Sequence, residues 1–178
     1  MRRKAVQQTE EQQPKKHKYN ATKAVFYIDS EQLQKIDANE YKRLKQSKME
    51  GYEFYLFDSY HEGLYYMSKL LPLIKKGKIT VEMQPKFVLL EAFTTSDGKK
   101  NQAITYIPDF KVIYDDGRQF VVDIKGMEDQ KFPLKRKMFE HRYPEYGSLK
   151  VMKHVQKFGG FITHEKYLEL KKLEKKDK

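Results

Sequence analysis

Two short stretches, Ile107-Pro108-Asp109-Phe110 and Val121-Val122-Asp123-Ile124-Lys125-Gly126, hold the residue types best suited to chemistry in this chain. Asp109 follows a proline on one predicted strand, and Asp123 and Lys125 stand two apart on the next. Two carboxylates can hold a hard divalent cation through oxygen. A lysine beside them can position a water or offset developing negative charge. Gathering these groups brings a folded domain no evident stability, because an exposed Lys–Asp pair is worth only about 0–1 kcal/mol. Asp-x-Lys alone recurs by chance in many strands, but Pro-Asp on the paired strand sharpens it. The chemistry that fits is phosphodiester hydrolysis, since magnesium binds few carboxylates, keeps waters and leaves room for a phosphate.

The two acids can cooperate only if they share a face, and the turn between the strands decides this. Strands are predicted at 103–114 and 118–125 around Asp115-Asp116-Gly117. A two-residue Asp-Gly loop would place Asp109 opposite Ile124 and send the acids to opposite faces. A three-residue loop with Gly117 left-handed pairs Asp109 with Asp123 instead. The three-residue loop, or an equivalent bulge, is the expectation. Alternation then points Asp123 and Lys125 one way, and Val122 and Ile124 the other.

Other elements frame this hairpin. Residues 24–28 read as a short strand, and 30–49 as a helix with Ser30 as N-cap and Gly51 past its end. A second helix is expected over 59–76, where Tyr60, Leu64, Met67, Leu71 and Ile74 form one apolar face and Pro72 forces a kink or an early end. Ile79 to Phe93 reads as a long or broken strand, with Pro85 at an edge or bulge. A helix at 131–142 carries Pro133 in its first turn. A strand at 148–155 follows, and then a helix capped by Thr163 and running to about 175.

The chain has 178 residues, 39% hydrophobic and 34% charged, which suits one domain with a core plus tails. Residues 1–18 read as a disordered basic tail, 19–53 as an N-terminal extension, 54–168 as the core and 169–178 as a basic helix end. No cysteine is present, which excludes disulfides and thiolate zinc sites. No apolar run spans a membrane, and the first residues do not read as a secretory signal, so a cytoplasmic protein without membrane contact is expected. The net charge is +11, and residues 126–158 hold eight Lys/Arg against four acids. Excess base directly after an acidic motif suits metal held by acids and phosphate held by bases, with an ordinary solvated basic surface as the alternative.

Glu62 is the third candidate acid. Ser59-Tyr60-His61-Glu62 fits a capping box, worth about 1 kcal/mol, and on spacing alone that reading is favoured. Glu62 can also project toward the hairpin as a further ligand, and the two roles can coexist. Lys131, Lys135 and Arg136 are candidate contacts to a DNA backbone, with an ordinary exposed helix face as the alternative. No pair of histidines has metalloprotease spacing, and nothing resembles a phosphate loop or dinucleotide fingerprint.

The pieces Phe57-Asp58-Ser59-Tyr60-His61-Glu62, Glu82-Met83-Gln84-Pro85, Tyr106-Ile107-Pro108-Asp109-Phe110 and Val122-Asp123-Ile124-Lys125-Gly126, in this order, resemble the PD-(D/E)xK nuclease superfamily. The resemblance covers about residues 54–156. More narrowly, the chain looks like small phage and prophage endonucleases of this superfamily, and resembles the phage endonuclease I type of junction-resolving enzyme. It implies an α/β fold with a restriction-endonuclease-like αβββαβ core, a mixed sheet flanked by helices, plus the N-terminal extension. It implies Glu62, Asp109, Asp123 and Lys125 as the catalytic set. Glu62, Asp109, Asp123 and the Ile124 carbonyl would be ligands of Mg²⁺, or of Mn²⁺. Glu82 fits less well and is open to a structural role. Asp123 stands where many members carry glutamate. The implied activity is metal-dependent DNA cleavage leaving 5′-phosphate and 3′-hydroxyl ends, on branched or recombination intermediates, in the host cytoplasm if phage-encoded. Cutting two strands symmetrically would call for a homodimer. The alternatives are a non-catalytic binding module on the same fold, and a nuclease subunit active only within a transposition or restriction assembly.

Overall fold

The computed structural model describes residues 21–47, 53–126 and 130–176. The basic tail expected at 1–18, the stop expected at Gly51 and the last two residues lie outside them. The architecture is mixed α/β: a mixed five-stranded sheet flanked by helices, with three small antiparallel sheets around it.

The chain opens with β1 (Lys23–Tyr27) and β2 (Gln32–Ile36), antiparallel partners. Residues 32–36 were expected to be helical. They pair with β1 instead, and helix α1 (Ala38–Ser47) starts only after Asp37, whose carboxylate accepts from the Asn39 and Glu40 amides at 2.8 and 2.9 Å. Asp37, not Ser30, is the cap. Cross-strand pairing thus overrides a weak helical pattern whose faces are mostly polar. Next, β3 (Phe54–Phe57) pairs with the other edge of β1, so the expected boundary at 53/54 falls inside a small sheet.

Ser59 caps α2 (Tyr60–Tyr65), which continues through a π-helical turn at Tyr66–Leu70 into α3 (Leu71–Lys75). Pro72 lacks an N–H and crowds the preceding turn. The widened turn just before it absorbs that conflict, with the Leu71 amide reaching Tyr66 five residues back. The helix continues past Pro72 rather than ending there.

β4 (Ile79–Met83) joins the main sheet at its edge. The run expected to continue to Phe93 breaks at Gln84-Pro85, and β5 (Phe87–Leu90) leaves for a separate two-stranded sheet with β8 (Ile104–Tyr106). Between them β6 (Phe93–Thr94) and β7 (Lys100–Asn101) form a short ribbon. The first strand of the hairpin is therefore also split, at buried Pro108: β8 serves the small sheet, and β9 (Phe110–Tyr114) the main one. β10 (Gln119–Ile124) pairs antiparallel with β9. α4 (Phe132–Arg142) then carries the chain to β11 (Lys150–Val155), which runs parallel to β10. β12 (Gly160–Thr163) and α5 (His164–Lys176) complete the fold, and Thr163 caps α5 through the Lys166 amide at 3.2 Å.

The sheet order is β12-β11-β10-β9-β4. Central β10 is buried on both faces. Val122 and Ile124 pack with Phe110, Val112, Tyr65, Tyr66 and Leu70 under α2 and α3. Val121 packs with Phe132, Phe139, Leu149 and Val151 under α4. Phe110 joins the helix to the sheet, its ring 6.0 Å from Tyr65, 6.4 Å from Tyr66 and 6.2 Å from Phe57. Replacing Phe110 with alanine removes that fully buried ring and should cost about 3–5 kcal/mol, read as a lower urea midpoint at unchanged slope. A loss below about 1 kcal/mol would mean that the helix and sheet do not meet there.

Candidate functional site

The turn between β9 and β10 sets the geometry. The Tyr114 amide donates to Arg118 O at 2.8 Å, the Gly117 amide returns to Tyr114 O at 3.0 Å, and Gly117 sits at φ +84°. This is the three-residue loop, with glycine in the left-handed conformation that other residues resist. Val122 then lies opposite Phe110, the last pair of the ladder, and one more step of the same register would set Asp123 against Asp109. Ladder pairing stops at Phe110. Beyond it the Asp109 carboxylate takes over, accepting from the Ile124 amide at 2.5 Å. On its other side the Asp109 carbonyl accepts from the Gln84 amide at 2.9 Å. Asp109 is thus held between two strands.

Asp123 is fully buried on the face toward α4. Its Oδ2 accepts from the Tyr106 hydroxyl, whose ring packs edge-on against Phe139 at 5.8 Å. Its Oδ1 has no hydrogen bond of good geometry but faces Lys125 Nζ at 3.1 Å. Lys125 Nζ also lies 5.3 Å from the centre of the Phe132 ring. Asp123 and Lys125 share a face, as alternation requires.

Glu62 is buried on α2, over the opposite face, and reaches the strand ends from there. It performs the capping role: Ser59 Oγ accepts from the Glu62 amide at 3.2 Å, and Glu62 Oε2 accepts from the Asp58 amide at 3.0 Å. It also borders a cavity of 170 Å³ together with Gln84, Asp109 and Phe110. Capping therefore does not remove it from the site.

The electrostatics are those of crowded acids. Burial first, then the Asp123 and Glu62 carboxylates, push the Asp109 carboxyl well above the usual range. Burial also raises Glu62, Ser59 opposing the shift and Asp58 adding to it. Burial works against the Lys125 ammonium, but Asp123, Asp109 and Glu62 outweigh it and hold its pKa above the ordinary lysine value. Burial, followed by Asp123, drives the Tyr106 phenol far upward, so it stays a proton donor to that carboxylate.

A hard cation suits this donor set. All the candidate donors are oxygens, they repel one another, and the buried Asp123 Oδ1 has only the Lys125 ammonium beside it. Among the described residues, however, no group of three or more His, Asp and Glu side chains is gathered closely enough to enclose an ion as it stands. Glu62 and Asp109 each direct an oxygen to a backbone amide, and Asp123 directs one to Tyr106.

The basic candidates divide. Lys135 Nζ donates to Thr105 O at 3.2 Å, tying α4 to β8. Arg136 is engaged by Glu140 at 3.0 Å and Glu165 at 2.7 Å, which makes it a strut between α4 and α5 rather than an open cation. Lys131 is exposed at the start of α4. Glu82 lies opposite Lys111 across β4 and β9, with their charged groups 3.7 Å apart.

Three contributors were not foreseen. Tyr106 was hidden by the break at Pro108, which defeats simple alternation. Gln84 adopts φ +50°, uncommon for a residue with a side chain, and its amide donates to Asp58 at 3.2 Å. Asp58 also accepts from Tyr41 at 3.0 Å and Lys23 at 3.1 Å. The Gln-Pro pair was visible in the sequence, but its conformation was not.

Fold and site together define a mixed α/β domain with acids and a lysine converging at the ends of its central strands. The chain belongs to the family described as "Protein of unknown function (DUF1064)", whose model matches residues 48–160. The match takes in Glu62, Asp109, Asp123 and Lys125, and leaves out β1, β2 and α1. No curated protein matches the chain.

The raised Asp109 carboxyl has a measurable consequence. A carboxyl whose pKa rises on folding costs nothing below its unfolded value of about 4, where both states are protonated, and destabilises progressively above it. Asp109→Asn keeps an acceptor for the Ile124 amide and removes the charge. In EDTA it should melt above the wild type at about pH 8, with the gain shrinking toward about pH 4. Added Mg²⁺ should raise the melting temperature of the wild type and not that of the variant. A variant that melts below the wild type at the higher pH would show that no such repulsion exists.

Proposed function

We propose that this chain is a divalent-cation-dependent DNA endonuclease of the PD-(D/E)xK type. The observation that carries this reading is the closeness of Asp109 to the Asp123 and Glu62 carboxylates just past the end of the β9–β10 ladder, with Lys125 Nζ 3.1 Å from Asp123. The element order supports it. A helix (α2–α3), three antiparallel strands (β4, β9, β10), a crossover helix (α4) and a parallel strand (β11) resemble the αβββαβ, restriction-endonuclease-like core of that superfamily.

Asp109, Asp123, the Ile124 carbonyl and Glu62 would hold Mg²⁺, or Mn²⁺ in its place. The cation would offset charge on the phosphate and lower the pKa of a water. Lys125, kept protonated by its acidic neighbours, would orient the attacking water or neutralise the transition state. Tyr106 holds Asp123 in place by donating to Oδ2, leaving Oδ1 toward Lys125. Asp109 stays aligned by its bond from Ile124. Branched or recombination intermediates of a phage or prophage, in a bacterial cytoplasm, are the proposed substrates. A homodimer would serve paired cuts.

A second reading is a nuclease-like fold that binds nucleic acid or protein without cutting. Its support is that no three-residue cluster among the described residues encloses an ion as it stands.

A panel of four-way junction, flap, duplex and single strand, each with Mg²⁺ and with EDTA, separates the two. Metal-dependent cleavage of at least one is expected. Lys125→Ala should lower that cleavage by about 10²–10³ while leaving binding intact. If no substrate is cut, the isolated chain is not a nuclease, and only cleavage in the presence of a partner would then keep the catalytic reading. If Lys125→Ala cuts normally, the site is misassigned.

A further inference from the structure

A second cavity lies beyond Lys125. It measures 240 Å³ and is walled by His61, Lys125, Lys153, His154, Lys157, Tyr167 and Lys171, among others. That volume is roughly eight times the share of one water in the liquid, enough for a phosphate and part of a sugar. Its lining carries four lysines and one acid, Glu174. Glu174 is shared, paired with Lys157 and 3.9 Å from Lys171, so it cannot balance them all. The ammonium groups sit over aromatic rings: Lys153 lies 5.5 Å and Lys171 5.8 Å from the centre of Tyr167, and Lys157 5.7 Å from that of Phe158. His61 and His154 stack at 5.0 Å and supply further ring nitrogens at the wall.

The position gives this basic cavity its meaning. The acidic cavity is bordered by Glu62 and Asp109 and the basic one by Lys125; Asp123 is linked to both, paired with Lys125 at 3.1 Å and close enough to Asp109 to raise its carboxyl. A polyanion whose charges repeat along a chain can place one phosphate at the acids and the next among the lysines. An isolated carboxylate offers no such second point of attachment.

We propose that this cavity binds the backbone phosphate adjacent to the one to be cut, with Lys153, Lys157 and Lys171 as its cationic contacts. The identity of the strand rests on the nuclease reading, whereas the preference for phosphate rests on the lining alone. The site then fixes where the strand lies across Asp123 and Lys125. It also makes single-stranded or frayed DNA, whose phosphates can follow a concave path, the favoured substrate class.

The test is fluorescence anisotropy with a labelled single-stranded oligodeoxynucleotide in EDTA, over a salt series. Lys153→Ala/Lys171→Ala should bind about tenfold more weakly or worse, with the salt slope reduced by about 1–2. Lys153→Arg/Lys171→Arg should restore most of the binding and so exclude misfolding. Lys99→Ala/Lys100→Ala, on the distant β6–β7 ribbon, should bind as the wild type does. Unchanged affinity and slope in Lys153→Ala/Lys171→Ala would overturn the proposal, and so would an equal loss in the ribbon variant. If the binding loss appears but the wild type cuts none of the four substrates, the phosphate site stands and the nuclease reading falls.

Discussion

A side chain replaces the backbone as a rung of the central sheet. Where β9 stops pairing, the Asp109 carboxylate accepts the amide of Ile124, while the Asp109 carbonyl accepts the amide of Gln84. Much of the rest follows. The first bond holds the Asp109 side chain beside Ile124 on β10, and the second holds the end of β4 against the hairpin. Because the acceptor is a carboxyl group, the same contact that completes the sheet also brings an ionisable group into a crowded, poorly hydrated place.

That placement creates the tension of the site. Three carboxylates stand near one lysine, and the lysine does not relieve all of them: Asp109 and Glu62 both bind protons more tightly than free acids do. A fold that sought stability alone would have used apolar residues of similar size there. The neighbouring structure compensates locally, with Tyr106 bonded to Asp123, Ser59 and Asp58 holding Glu62, and the Phe132 ring under Lys125.

Sequence reading succeeded where a periodic pattern or a turn rule was strong. The glycine at 117 and the alternation through Val122 to Lys125 gave the register of the hairpin, and Pro133 and Thr163 marked the starts of α4 and α5. It failed where tertiary pairing decided. Residues 32–36 pair with β1 rather than coil, and the apolar runs on either side of Pro85 and Pro108 each divide between two sheets. Nothing local encodes which half joins which sheet. Of the site, the acids and the lysine were legible because their types and spacing are unusual. Tyr106, Gln84 and Asp58 were not, because each acts through a partner between 17 and 35 residues away. Of the two acids that engage Arg136, Glu140 lies one helical turn on and was legible, whereas Glu165 lies 29 residues on and was not.

Asp58 gathers Lys23 from β1, Tyr41 from α1 and Gln84 from the end of β4, and its own amide is bound by Glu62. Two of those three donors precede the family-matched region. A fragment trimmed to residues 48–160 would strand Asp58 without them. It would also bare the edge of β3, whose Phe54 and Phe57 are buried here. An uncovered apolar edge of that kind invites strand-to-strand clumping. The shortest piece of this chain suited to expression and assay thus begins ahead of β1, not where the resemblance to its relatives begins.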